Sequence, residues 1–258
     1  MWMFILGGIN LILFVFSLIF FLPKGFHKKL PKLYENIFQI IQKNIVPLAI
    51  IVGVVAFHLI EVRFIDPAIT DWIGYDYANT LQSFENGIVH SFSQNWTPTL
   101  VYLFVIIYIG IYPFTLWFSP LYFTLSDNKR ALKSLAYGLL LIYIFALPFY
   151  LFAPITNVYT YFGSKSALES VIPSVEGFFY STTTQNNCLP SLHTAMTILI
   201  AYTVSLTGNK RMTYFSYFVA VGVIISVIYL SIHWLTDVVT GGLLSLAVIF
   251  ILHRYIRE

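Results

Sequence analysis

Two short strings hold the residues with chemistry to offer: Pro190-Ser191-Leu192-His193 and, forty residues on, His233-Trp234-Leu235-Thr236-Asp237. Residues four apart share a face of a helix, so Asp237 is placed to hold one ring nitrogen of His233 and aim the other. An imidazole oriented by a carboxylate, with a second histidine nearby, has the parts for nucleophilic attack and general acid catalysis. His193 follows a Pro-Ser pair at the start of an expected helix. Unpaired backbone N–H groups and the positive end of the helix dipole make such a start a seat for a phosphate, and the Ser191 hydroxyl can donate to a phosphoryl oxygen. Each string also has a purely structural reading. The first is then an ordinary N-cap, and the second an i,i+4 pair that stabilises a helix by about 0.2–0.5 kcal/mol. Zinc binding is a third reading, but two histidines and a carboxylate lack a tight ligand motif such as HExxH.

The elements that must position these groups are apolar. Of 258 residues, 58% are hydrophobic and 10% charged, with a mean hydropathy of +0.79, whereas soluble domains are about 25% charged. The apolar residues fall in long blocks, so the expected fold is all-α, a polytopic integral-membrane helical bundle. A span takes roughly 20 apolar residues, and seven segments qualify: 3–22, 44–62, 98–121, 131–153, 190–207, 213–232 and 236–254. The first lacks a charged leader region and a small-residue cleavage site, so it reads as a retained helix. One cysteine, Cys188, excludes an intrachain disulfide framework and a cysteine-built metal site. There is no dinucleotide fingerprint, Walker loop, nucleic-acid motif or internal repeat, so no nucleic-acid partner is expected.

Charge sets the expected orientation. With the N-terminus outside, the inner segments hold Lys24, Lys28, Lys29, Lys32, Lys43, Lys129, Arg130, Lys133, Lys210, Arg211, Arg254 and Arg257, leaving only Arg63 and Lys165 of the 14 basic residues outside. Positive charge concentrates on the cytoplasmic side of membrane proteins. The N-terminus and both histidine strings are therefore expected on the extracytoplasmic side and the C-terminus in the cytoplasm.

Two outer connections are too long for simple turns. Residues 63–97 carry Ile69, Ile73, Tyr77, Leu81, Phe84, Ile88 and Phe92 at spacings of three or four, the pattern of one amphipathic helix lying in the interface. It serves as a stabilising lid or as a gate for a lipid substrate. Residues 154–189 are rich in Thr, Ser, Asn and Tyr and lead into the first histidine string, a placement suited to binding. The other histidines fit less well: His27 and His253 fall on the inner side, while His58 and His90 read as packing or hydrogen-bonding residues.

Pro190-Ser191-Leu192-His193 and Ser226…His233-x-x-x-Asp237, in this order and on one membrane side, resemble the second and third signatures of the type-2 phosphatidic acid phosphatase superfamily over about residues 98–254. That leaves residues 1–97 as two N-terminal helices with the outer segment, and 98–258 as the catalytic core, whose last five spans with one earlier helix make up the six of the family. The resemblance implies a phosphohistidine formed on His233, oriented by Asp237, with His193 protonating the leaving group and neither cofactor nor metal required. Three departures stand out. Val227 follows Ser226 where the family has an arginine, the lysine-bearing first signature is replaced by a run from Ala146 to Pro154 containing Pro148, and Leu192 stands where a glycine is usual. These departures resemble the inositol phosphorylceramide synthase branch, which transfers a phosphorylated headgroup between lipids. The implied substrate is a lipid phosphate, diphosphate or phosphodiester. Its acceptor is an alcohol such as inositol or a lipid hydroxyl, or water in a lipid phosphate or polyprenyl diphosphate phosphatase. A non-catalytic scaffold or transporter is the reading from another class. With the family's cations missing, Lys165 is the expected phosphate partner beside Ser191; Arg63, Asn186, Asn187 and backbone dipoles are the alternatives.

Overall fold

The computed structural model describes residues 2–22, 36–93 and 95–256. Lys24, His27, Lys28, Lys29, Lys32 and Arg257 lie outside these. Helix α1 spans Trp2–Phe20, α2 Ile37–Lys43 and α3 Ile45–Ile60, which runs through a wide π-helical stretch into α4, Asp66–Ile73. Next come α5 (Ala78–Glu85), α6 (Ile88–Ser93) and α7 (Pro98–Val105), and a second π-helical stretch, Ile106–Ile111, joins α7 to α8 (Tyr112–Leu125). Both wide stretches end just before a proline, Pro67 and Pro113, which offers no N–H to the carbonyl four residues back. Helix α9 is Lys129–Phe152. Short helices α10 (Val158–Tyr161), α11 (Ala167–Val171) and α12 (Pro173–Phe179) follow it, then α13 (Leu192–Ser205), α14 (Lys210–Tyr229) and α15 (Leu235–Tyr255).

Among the described residues, five helices are long and apolar enough to cross a membrane: Ile45–Ile73, Pro98–Leu125, Lys129–Phe152, Lys210–Tyr229 and Leu235–Tyr255. The chain is an all-α integral membrane protein. All seven expected apolar segments are helical, but Phe4–Phe20 and Leu192–Ser205 are shorter apolar helices. With 14 residues, α13 is about 21 Å long, short of a hydrocarbon core of about 30 Å.

Asparagine caps fix the other end of the bundle. Asn128 accepts from the Ala131 N–H at 3.0 Å to start α9, and Asn209 accepts from Met212 at 3.3 Å to start α14. Lys43 and Asp127 pair there at 2.8 Å. One apolar core joins Phe114, Phe118 and Phe123 of α8 to Leu132 and Leu135 of α9, Leu199 of α13 and Leu252 of α15. A second joins Tyr108 and Tyr112 to Val219, Val223 and Val227 of α14 and to Leu168, Ile172 and Phe179.

The segment 63–97 is not one amphipathic helix but three short ones. Gly74 (φ +62°) and Asn86 (+51°) take left-handed conformations that end α4 and α5, and Gly87 (+76°) follows in the same region before α6. Among its described residues the buried side chains are Asp66, Ala78, Glu85 and Val89, whereas Phe84 and Ile88 of the expected apolar stripe are exposed. Ala78 and Val89 pack with Ile155, Val158, Cys188 and Trp234 to cap the end of the bundle that carries the histidines.

Candidate active site

His233 precedes a helix rather than sitting on one. After α14 ends at Tyr229, Ser231 turns the chain in a left-handed conformation (φ +57°), and the N–H groups of Ile232 and His233 both donate to the Val227 carbonyl, at 3.0 and 3.2 Å. Asp237 lies in the first turn of α15, where its Oδ2 accepts from the Trp234 N–H at 2.9 Å and meets His233 Nδ1 at 3.3 Å. The expected helix-face pairing of these residues is thus corrected. The carboxylate reaches back past the helix start as a cap, and the same oxygen that closes the cap orients the imidazole.

His193 is brought to the same point by α13. Ser191 is its N-cap, accepting from the Thr194 N–H at 3.3 Å, and the Ser191 N–H donates to the Asp237 carbonyl at 3.0 Å. A Cβ at Gly241 would stand 2.4 Å from the Ser191 carbonyl oxygen, so only glycine lets α15 lie this close to the loop. His193 Nδ1 then faces His233 Nε2 at 3.3 Å. One proton arrangement satisfies all three groups. An ionised Asp237 only accepts, so His233 Nδ1 carries the hydrogen, its Nε2 is the bare lone pair, and His193 Nδ1 donates to it.

Aromatic rings enclose the pair. Tyr108 stands edge-on to His193 with ring centroids 5.0 Å apart, Tyr112 lies at 5.9 Å and Phe179 at 6.2 Å. His233 and Asp237 are buried. Around them Asp237 Oδ1, Thr194 Oγ1, Ser231 Oγ, Asn187 Oδ1 and the Tyr108 hydroxyl are buried with no hydrogen-bond partner among the described residues. Each such group costs about 1–3 kcal/mol if it stays unpaired. Thr194 and Ser231 lie beside the two histidines in the chain, and Tyr108 packs on His193.

Ser191, His193, His233 and Asp237 therefore converge. Lys165 does not join them: its side chain is 78% exposed and its ammonium pairs with Glu169 at 3.9 Å. Arg63 stacks over the Phe64 ring, 5.9 Å from its centroid. The amides of Asn186 and Asn187 are turned toward the second span, Asn187 donating to buried Glu61 at 3.3 Å and Asn186 to Thr70 at 2.9 Å. Thr70 in turn donates to buried Asp66 at 3.3 Å. His58 lies 3.6 Å from Glu61, and His90 stacks on Phe162.

Sequence reasoning missed two groups beside the pair. The first is Cys188, buried, with its sulfur 3.6 Å from the Ile232 carbonyl oxygen. Burial, and then the Asp237 carboxylate, push its thiol pKa up. The second is Glu85, 4% exposed, whose two oxygens accept from the Thr236 and Leu235 N–H groups at 2.6 and 3.1 Å. These are orphan donors of the α15 start, so the segment 63–97 holds the helix that carries Asp237. Glu85→Ala leaves both N–H groups unpaired and is expected to destabilise the fold by about 1–3 kcal/mol. A lower thermal midpoint checks this, whereas an unchanged midpoint shows that the cap contributes nothing.

A sequence profile described as the PAP2 superfamily matches residues 82–251, a stretch that contains Glu85, both histidine strings and Asp237. Comparison with curated proteins and with solved structures finds no match.

Proposed function

Because this chain belongs to the PAP2 superfamily, a family of phosphatase-type lipid enzymes, we propose that it moves the phosphorylated headgroup of a membrane lipid to an alcohol through a phosphohistidine. The observation that carries this reading is the 3.3 Å approach of His193 to the His233 nitrogen that its Asp237 contact leaves bare. In the proposed reaction the substrate phosphorus enters between the rings. The Nε2 lone pair of His233 forms a bond to phosphorus as the bond to the leaving oxygen breaks, and His193 delivers a proton to that oxygen. Asp237 stabilises the positive charge that grows on the His233 ring. An acceptor hydroxyl then gives its proton to His193 and attacks phosphorus, and the N–P bond breaks to restore His233.

Anion binding falls chiefly to neutral donors. The first turn of α13 presents the Leu192 and His193 N–H groups at the positive end of a helix, and the Ser191 hydroxyl borders them. Lys165 supplies charge from the rim by leaving Glu169, an exposed pair of little worth. Transfer rather than hydrolysis is supported by the Pro190-Ser191-Leu192-His193 string and by the aromatic enclosure of His193, because keeping water out favours a bound alcohol. Lys129, Arg130, Lys210, Arg211 and Arg254 sit at the helix ends remote from the histidines. By the positive-inside rule the proposed site opens on the extracytoplasmic leaflet.

The test supplies lipid donors labelled in the phosphorylated headgroup to purified protein in vesicles, with and without inositol or a ceramide-like acceptor. Label is expected to move to the acceptor. Release of free phosphate alone refutes transfer in favour of hydrolysis, and intact donors together with an unlabelled protein refute the enzyme reading.

A further inference from the structure

The residues that orient His233 also assemble a donor set of another kind. Cys188 comes from the loop before α13, His233 from the turn after α14 and Asp237 from the first turn of α15. One donor atom from each lies within 4.8 Å of the other two, and all three residues are buried. A second observation points to a ligand here: Asp237 Oδ1, on a side chain with no exposed surface, has no hydrogen-bond partner among the described residues.

We propose that Cys188, His233 and Asp237 form a binding site for a thiophilic divalent cation of the Zn2+ class, and that its occupancy switches the histidine pair off. Sulfur, imidazole nitrogen and carboxylate oxygen are each donors that zinc takes, and three protein ligands with a fourth position left open is a zinc coordination pattern. Bonds of about 2.0–2.3 Å bring tetrahedral donors to roughly 3.3–3.7 Å of one another, so the side chains close in by about 1 Å. The Cys188 thiol proton leaves to solvent as the metal–sulfur bond forms, and no electrons are exchanged. A single cysteine was expected to exclude a cysteine-built site, but a mixed donor set needs only one sulfur.

The switch follows from which nitrogens are engaged. His233 Nε2 faces His193 and Nδ1 faces Asp237. Coordination through Nε2 consumes the lone pair proposed to attack phosphorus. Coordination through Nδ1 replaces the proton shared with Asp237 by a divalent charge, which withdraws electron density from the ring. Either way the proposed nucleophile is lost. The site itself depends only on the geometry, while its inhibitory effect rests on the proposed phosphohistidine reaction.

The probe is Cd2+ added to the purified full chain, read by ultraviolet absorbance. Cys188 is the only cysteine, so a thiolate-to-cadmium charge-transfer band reports this residue alone. The band is expected in the native protein and absent from Cys188→Ala. In His233→Asn the cadmium affinity read from the band is expected to fall at least about tenfold, since loss even of groups that merely support a metal ligand weakens binding roughly 10–100-fold. No band in the native protein, or an unchanged affinity in His233→Asn, overturns the site whether or not the enzyme reading holds. Lipid turnover is expected to decline over the cadmium range in which the band grows, with Cys188→Ala resistant. A full band with undiminished turnover overturns the switch.

Discussion

Replacing His233 with alanine is expected to lower turnover of a lipid phosphodiester at least about 10⁴-fold, because no second group can take up the phosphoryl unit; single losses of comparable catalytic groups reach about 10⁶-fold. The fold should survive. Asp237 keeps its hydrogen bond from the Trp234 N–H at 2.9 Å, and the His233 backbone N–H still donates to Val227. His193→Ala separates the two roles. With a good leaving group the proton it supplies matters less, so this variant should still form phosphoenzyme from an activated substrate and fail with a natural alkoxide. Native-like turnover in folded His233→Ala excludes the covalent route.

Asp237→Asn is the sharper substitution because it preserves almost everything else. An asparagine oxygen in the place of Oδ2 can still accept from the Trp234 N–H and from His233 Nδ1, with the amide nitrogen in the place of the unpartnered Oδ1. The negative charge that stabilises the His233 ring as it becomes positive is then lost. The same substitution costs about 10⁴-fold in the Ser-His-Asp enzymes, and a loss of about 10³–10⁴-fold is expected here with the thermal midpoint nearly unchanged. Activity within tenfold of the native enzyme indicates that Asp237 acts only as a helix cap.

The parts of the site that were legible in the sequence are those joined over short range. His233 and Asp237 are four apart and both polar beside apolar runs, so their partnership could be read directly, even though it arises from a cap and not from a helix face. His193 was legible through its Pro-Ser lead, which sets the N-cap at Ser191. Glu85 was not, because its partners Leu235 and Thr236 lie 150 and 151 residues away and backbone N–H groups leave no sequence signal. Cys188 was set aside as a lone cysteine, and no spacing rule links it to residues contributed by two other elements. The break-up of 63–97 did leave a trace: Asn86-Gly87 is a turn dipeptide, and the apolar spacing of Phe84 and Ile88 concealed it. Those side chains are exposed, so apolar periodicity there does not report burial within the protein. The expected site cations were the least legible part, since sequence shows that Lys165 is on the right loop but not that Glu169 holds it at the surface.

The central claim is a covalent bond between phosphorus and one particular imidazole. Its most direct test is to quench the purified protein within the first turnover of a labelled phosphodiester, under alkaline conditions that preserve phosphoramidates, and to map the modified peptide by mass spectrometry. The account predicts an acid-labile, alkali-stable phosphoryl adduct on His233 that is absent from His233→Ala. An adduct on any other residue, or steady turnover with no adduct at any quench time, contradicts it.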